Sequence, residues 1–132
     1  MKVLRCLAIL LSISLMLIMQ GCGADTSGAI TMTAPTSADN GDGTFSVSTT
    51  VSYIPSDGKS AEGVIVTTTA TDKFSVITTD EATLTSGSNS VIYTFQVTQH
   101  SGSSNRLTIV SSVGSMTSSV GITIPALTVT AL

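Results

Sequence analysis

The sequence predicts an all-β domain, a single two-sheet sandwich of about seven short strands with no disulfide. Beyond its apolar amino terminus, the chain is crowded with Thr and Ser that alternate with Val and Ile. Beta-branched side chains fit a pleated surface better than a helix. Clusters of Gly, Asn, Asp, Ser and Pro interrupt these stretches, and no segment has a helical apolar period. Short strands at spacings of roughly ten to fifteen residues are typical of a sandwich.

The first 28 residues are assigned to export and tethering. A basic start at Met1, Lys2 and Arg5 precedes an apolar run over residues 7–19 and then Gly21-Cys22. This order resembles the lipobox of bacterial lipoproteins, in which a peptidase cleaves before the cysteine and the cysteine then carries acyl chains. The resemblance implies a cleaved signal over residues 1–21, lipidation of Cys22 and a flexible polar tether over residues 22–28.

Two alternatives to the lipoprotein interpretation remain open. One is an ordinary secreted protein with a free thiol at Cys22, and the other is a permanent single-span anchor. The anchor ranks lowest, because residues 7–19 are too few to cross about 30 Å of hydrocarbon as a helix.

If Cys22 is the first mature residue, about 110 residues remain, which is enough for one domain and too few for two. Cys6 leaves with the signal and Cys22 becomes a thioether, so no thiol remains to form a disulfide. The mature cations are Lys59, Lys73 and Arg106, against eight acidic residues in the whole chain. This balance argues against nucleic-acid binding and against charge-driven binding to anionic lipid.

The first half of the domain contains the best patterned strand. A short strand is expected over residues 29–33 and a turn over residues 39–43, where Asp, Asn and Gly tolerate left-handed dihedrals. Residues 44–54 then alternate with a period of two. Their predicted core face consists of Phe45, Val47, Thr49, Val51 and Tyr53.

The second half repeats this alternation. Strands are expected over residues 63–71, with a buried start at residues 64–66, over 74–77 and over 82–85. Residues 91–98 form a second well-patterned strand, and residues 107–113 and 120–124 form the closing hairpin around Gly114. The predicted core residues of these last strands are Val91, Tyr93, Phe95, Val97, Leu107, Ile109, Val113, Val120, Ile122 and Ile124.

The middle and end of the chain resemble bacterial immunoglobulin-like domains of the invasin and intimin group. The likeness rests on Asp57-Gly58 followed by Gly63-Val64-Ile65-Val66, and on the hairpin that joins residues 107–114 to 119–124. It implies an immunoglobulin-like sandwich over residues 29–125. Members of the group serve as spacers or adhesive modules in tandem arrays, whereas this chain has one copy and no internal repeat.

Few residues suggest chemistry. His100 is expected to be a solvated loop residue, since no Ser-His-Asp or Cys-His order accompanies it. The turn at residues 39–43 is expected to be a hairpin, with calcium between loops at one pole, helped by Asp80 or Glu81, as the alternative. Recognition is expected in the loops, chiefly residues 39–43, 55–61, 86–89 and 100–105. No catalytic, cofactor or zinc site is predicted.

The carboxyl terminus, residues 126–132, alternates weakly and is expected to be a tail or an extra edge strand, with strand exchange between copies as the alternative. The sequence therefore predicts a non-enzymatic, lipid-anchored protein of the bacterial envelope. The absence of Asp at position 23 favours the outer membrane. Its expected role is adhesion, binding of a surface protein or glycan, or envelope assembly. A self-assembling subunit that uses the carboxy-terminal strand and a carbohydrate-binding module are the alternatives.

Overall fold

The computed structural model describes residues 28–75 and 77–128, which form two four-stranded antiparallel β-sheets stacked as a sandwich. Its only helical element is a 3-10 turn at Ser56–Gly58, so no helix in this part of the chain is long enough to span a bilayer. The eight strands are β1 Gly28–Met32, β2 Thr36–Asp39, β3 Thr44–Pro55, β4 Ile65–Thr71, β5 Ile77–Thr83, β6 Ser90–Thr98, β7 Asn105–Val113 and β8 Met116–Ile124.

The first sheet is built around β3. Strand β6 pairs with one side of β3 over nine residues, from Thr44 opposite Thr98 to Ser52 opposite Ser90. Strands β1 and β2 lie end to end along the other side of β3. The predicted count of about seven strands becomes eight because this edge is divided in two.

The division between β1 and β2 is a bulge. Met32 lies opposite Val51 and Thr36 lies opposite Ser48. Residues 33–35 on the edge therefore lie opposite only residues 49 and 50 of β3. The Thr33 amide still donates to the Thr50 carbonyl at 2.9 Å. The sequence predicted β1 but missed β2, because all four β2 residues are exposed and carry no apolar alternation.

The second sheet has the order β5, β4, β7, β8. The closing hairpin is confirmed, with Val113 opposite Met116 across a two-residue turn. The prediction of separate strands at residues 74–77 and 82–85 was wrong. One strand, Ile77–Thr83, pairs with β4 along its whole length, and its polar, exposed residues gave no pattern to read.

The core lies between the sheets and uses the predicted faces of β3, β6 and β7. The largest fully buried side chains include Tyr53, Ile109 and Ile124. The predicted buried start of β4 was wrong at one position. Ile65 is 55% exposed, whereas Val64 and Val66 are buried, because the period of two already applies there.

Buried polar groups in the described chain are paired. The hydroxyls of Thr68 on β4 and Ser111 on β7 lie 2.7 Å apart inside the sandwich. The Tyr93 hydroxyl donates to the Val66 carbonyl at 2.7 Å and so joins the two sheets. Burial raises the pKa of Tyr93, and its hydrogen bond to Thr68 lowers it by less. No buried side-chain nitrogen or oxygen of the described residues lacks a partner.

The sandwich has two distinct ends. At the loop end lie residues 40–43, 72–75, 99–104 and 125–128, which connect or follow the strands there. At the opposite end lie Gly28, where β1 begins beside Pro55, and the connections 56–64, 84–89 and 114–115. Of the four loops predicted to carry recognition, 39–43 and 100–105 therefore lie at the loop end, and 55–61 and 86–89 at the opposite end.

Candidate functional site

The loop end presents an exposed aromatic side chain, Phe74, in the turn between β4 and β5. The Asp72 carboxylate accepts the Phe74 amide proton at 2.8 Å, and the Asp72 carbonyl accepts the Ser75 amide at 3.1 Å. Ser75 has a φ of 65°, the left-handed region that non-glycine residues rarely occupy. These bonds hold the turn so that Phe74 stands 43% exposed.

His100 packs on this ring. The centroids of the Phe74 and His100 rings are 3.9 Å apart and tilted by 41°. The predicted solvated loop histidine is therefore half-buried, because the connection between β6 and β7 folds against the connection between β4 and β5. The Lys73 ammonium lies 5.4 Å from the Phe74 ring centroid, a cation-π distance.

Hydrogen bonds from Lys73 and Asn105 fix the base of the site. The Lys73 ammonium donates to the Ser103 hydroxyl and, at 2.9 Å, to the Ser104 carbonyl. Asn105 is fully buried, and its side-chain oxygen accepts the Lys73 amide at 3.2 Å. Its side-chain nitrogen donates to Asp72 and to the Thr98 carbonyl, each at 3.3 Å. One amide group therefore ties together both turns and the end of β6.

A cleft of about 140 Å³ opens beside this cluster, between the edges of β5 and β6. It is smaller than a typical drug-sized pocket, which starts at roughly 300 Å³. Its size suits a side chain or a single small ring. Its lining mixes an apolar floor with hydrogen-bonding groups: Ala70, Asp72, Thr78, Phe95, Gln96, Val97, Thr98, His100 and Leu107.

The turn at residues 39–43 is a hairpin stabilised by its own carboxylates. Asp39 accepts the Gly41 amide at 2.8 Å, and Asp42 accepts the amide and the hydroxyl of Thr44 at 3.0 and 2.6 Å. Gly41 and Gly43 have φ values of 76° and 84°, which glycine adopts without strain. The bond from the Thr44 hydroxyl, and then that from its amide, lowers the pKa of Asp42.

Asp80 and Glu81 do not join that turn. They lie within β5, in the other sheet, where Glu81 accepts the Thr67 hydroxyl at 3.1 Å and Asp80 accepts the Glu81 amide at 2.9 Å. The sequence left these two carboxylates between the predicted strands at residues 74–77 and 82–85, whereas the structure places both inside one strand. Among the described residues, no group of three or more His, Cys, Asp or Glu side chains is arranged to hold a metal ion.

Two predicted features lie partly or wholly outside the described residues. Cys22 is outside them, and so are residues 129–132 of the carboxy-terminal segment. Within the described part of that segment, the Leu127 amide donates to the His100 carbonyl at 3.1 Å, and Leu127 forms a parallel bridge with Ser101.

Sequence reasoning missed Phe74 as a surface residue because it assigned residues 74–77 to a strand. The signal that was available is Asp72, since an Asp two residues before an exposed amide favours a local turn. Comparison of the chain with protein-family models, with curated proteins and with solved structures finds no match.

Proposed function

We propose that this protein is a non-catalytic, lipid-anchored component of a bacterial cell envelope, most simply the outer membrane, and that it binds a surface partner. Three features support the anchor: the basic start, the apolar run over residues 7–19 and the Gly21-Cys22 pair. Acyl chains on Cys22 would hold the body to the bilayer at roughly 0.8 kcal/mol per buried methylene. The sandwich would then need no charged lipid-binding surface of its own.

The proposed fold is an immunoglobulin-like sandwich. In such domains the second and fifth strands pair in one sheet, and the third, sixth and seventh pair in the other. Counting β1 and β2 as one divided first strand, β3 and β6 are the second and fifth, and β4, β7 and β8 are the third, sixth and seventh. This agreement in strand order supports the proposal. The fourth strand, β5, lies beside β4 and so extends the second sheet.

The observation that supports a binding role for the loop end is the position of Gly28, because it determines which end of the sandwich lies nearer the lipid anchor. Strand β1 starts at the end of the sandwich opposite Phe74 and His100, and β3 spans the two ends with 12 residues, or about 40 Å. A chain that enters from a lipid through residues 22–27 therefore reaches the body at the far end from Phe74. The loop end would face away from the membrane, toward a partner.

A carbohydrate partner is the second candidate, favoured by one observation. Phe74 presents a partly exposed ring beside a cleft that offers the polar groups of Asp72, Gln96 and Thr98. Sugars are commonly held by an aromatic face together with hydrogen-bonding groups. A glycan that binds there would perturb the His100 ring resonances in a nuclear magnetic resonance titration. A Phe74→Ala variant would abolish that perturbation.

A photo-crosslinking amino acid tests the binding proposal. It would replace Phe74 in the full chain displayed on cells, with replacement of Ser115 in the turn at the opposite end as the matched control. We expect a discrete foreign adduct from position 74 and none from position 115. Adducts of equal yield from both positions, or from position 115 alone, would contradict the proposed orientation.

A further inference from the structure

The free side of β6 carries backbone groups that no strand of the described chain uses. Beyond the two ends of the β3–β6 ladder, the Gln99 amide donates to Gly43 and the Tyr53 amide to Asn89, each at 2.8 Å. In an antiparallel ladder, hydrogen-bonded and non-hydrogen-bonded residue pairs alternate along each strand. Residues 89 and 99 are hydrogen-bonded to β3, so the odd-numbered residues between them also direct their amides and carbonyls toward β3. The even-numbered residues therefore direct theirs toward the open edge.

The ends of this edge are occupied and its centre is open. The Ser90 carbonyl accepts the Ser88 hydroxyl at 3.0 Å, and the Thr98 carbonyl accepts the Asn105 amide at 3.3 Å. Between them lie Ile92, Thr94 and Gln96, whose amides and carbonyls have no strand beside them in the described chain. Ile92 is also 70% exposed, more than any other large apolar side chain described.

The other strand edges have features that hinder pairing with a further strand, and β6 lacks these features. On β5, the Asp80 carboxylate occupies the Glu81 amide, and both side chains are acidic. The β1 and β2 edge is broken by the bulge and by Pro35, which has no amide hydrogen. Strand β1 packs closely against β8 across the side of the sandwich, whereas β5 approaches β6 less closely and leaves a cleft between the two edges. Charges, bulges and cover are the usual protections of sheet edges.

From these observations we propose that β6 is a self-association edge whose occupant is β6 of a second copy of this chain. A twofold dimer sets each edge residue against the same strand of its partner, so any charge there would meet a like charge nearby. Strand β6 has no charged residue along its nine positions. Strand β5, with Asp80 and Glu81, would bring carboxylates together if it paired with itself.

The alternation of backbone hydrogen bonds along β6, together with full overlap of the two strands, determines the register of this dimer. Only even-numbered residues face the open edge, and full overlap of Ser90–Thr98 with its copy centres the twofold axis on Thr94. Thr94 then lies opposite the partner's Thr94, and Ile92 lies opposite the partner's Gln96. Since a twofold contact is closed, the product is a discrete dimer, distinct from the ladder that strand exchange by residues 126–132 would give.

Disulfide trapping in the full chain tests the register. Cα atoms of a hydrogen-bonded antiparallel pair lie about 5.5 Å apart, within the range that a disulfide spans. Thr94→Cys should therefore form disulfide-linked dimers in cells treated with diamide. In the same register two copies of position 92 lie about 14 Å apart, so Ile92→Cys should stay at the level of the unmodified chain. Thr79→Cys, exposed on β5, should do the same.

A charge at the axis provides a second test that does not depend on trapping. We expect the full chain in detergent to sediment as a dimer, Thr94→Lys as a monomer and Thr79→Lys as a dimer. Thr94 and Thr79 are both exposed, and each shares one exposed hydroxyl hydrogen bond, with Ser48 and Thr69 respectively, so the two lysine variants lose the same kind of contact and should both keep the fold. A monomeric unmodified chain, a dimeric Thr94→Lys variant, or trapping at position 92 in place of 94 would each overturn the proposal. None of these results depends on Cys22 lipidation or on the partner at Phe74.

Discussion

Asn105 is the residue on which the geometry of the loop end depends most. Its buried side chain bonds to the backbone of Lys73, to Asp72 and to the Thr98 carbonyl. Removing it takes a hydrogen-bond partner from the Lys73 amide, the Asp72 carboxylate and the Thr98 carbonyl in a partly buried setting. A polar group left unpaired when buried costs about 1–3 kcal/mol. This cost, and not the volume of the side chain, sets the effect of substitution.

We expect Asn105→Ala to lower the free energy of unfolding by about 2 kcal/mol, or the Tm by roughly 10 °C. Asn89→Ala is the matched control, because the Asn89 side chain is exposed and only its carbonyl is bonded. Thermal unfolding followed by circular dichroism measures both variants. An Asn105→Ala protein as stable as the control would contradict the structural role assigned to this amide.

Asp42 links stability to pH. Its pKa is lowered in the folded state by the Thr44 hydroxyl and amide, so the unfolded state binds a proton more readily. The stabilisation is therefore present above the unfolded pKa and is lost as pH falls through the folded pKa. Since Asp42 is fully exposed, only the direction is predicted.

Asp42→Asn should be less stable than the unmodified chain at about pH 6, and the difference should shrink by about pH 3. Thr44→Val removes the hydroxyl bond, which is the largest cause of the lowered Asp42 pKa, and should weaken the same pH dependence. Urea unfolding across this range measures it. An unchanged difference between the Asn variant and the parent at both pH values would show that the carboxylate does not contribute in this way.

Residue types alone could not locate the candidate site. The Tyr, Phe and Val positions of β3 and β6 were predictable because alternation marks an inner face. Phe74 and His100 belong to two turns that are 26 positions apart and meet only because their strands lie in facing sheets. No local pattern encodes that meeting.

At the scale of elements, the register of β4 explains why Ile65 is exposed although the sequence predicted it to be buried. A run of three apolar residues, Val64 to Val66, is equally compatible with a fully buried strand and with alternation. The structure has alternation, and Thr67, Thr69 and Thr71 continue the outer face that Ile65 begins. The polar strands β2 and β5 escaped prediction for a related reason, since neither has an inner face rich in apolar residues.

Adjacent substitutions test this register. Val66→Thr buries a hydroxyl in nearly the same volume and should cost about 1–3 kcal/mol, whereas Ile65→Thr should change stability by less than about 0.5 kcal/mol. Chemical denaturation of the two variants gives both values. Equal losses, or a larger loss at position 65, would mean that Ile65 faces the core.

The Thr68 and Ser111 hydroxyls provide a coupling between β4 and β7 in the middle of the second sheet. Thr68→Val alone leaves the Ser111 hydroxyl buried without this partner, at about 1–3 kcal/mol. Adding Ser111→Ala should recover part of that loss, so the two changes should be less than additive in a double-mutant cycle. Strict additivity would indicate that the hydroxyls do not depend on each other.

On the scale of the whole molecule, strand order and the position of Gly28 distinguish the two ends of the sandwich: β1 begins at one end, and Phe74 and His100 lie at the other. The all-β class and the closing hairpin were predictable from sequence, because turns and alternation are local signals. The divided first edge, the placement of β5 and the grouping of loops at two ends were not, because they depend on pairing between distant segments. These long-range features are the ones that the proposed function uses.

The most direct test of the account is the intact mass of the protein recovered from the membranes of a bacterial host, with Cys22→Ser as the matched variant. The account predicts a chain that begins at Cys22 and carries acyl groups, and a serine variant that has no acyl mass and leaves the membrane fraction. A chain that retains residues 1–21, or an unmodified Cys22 in the membrane fraction, would contradict the proposed lipid anchor.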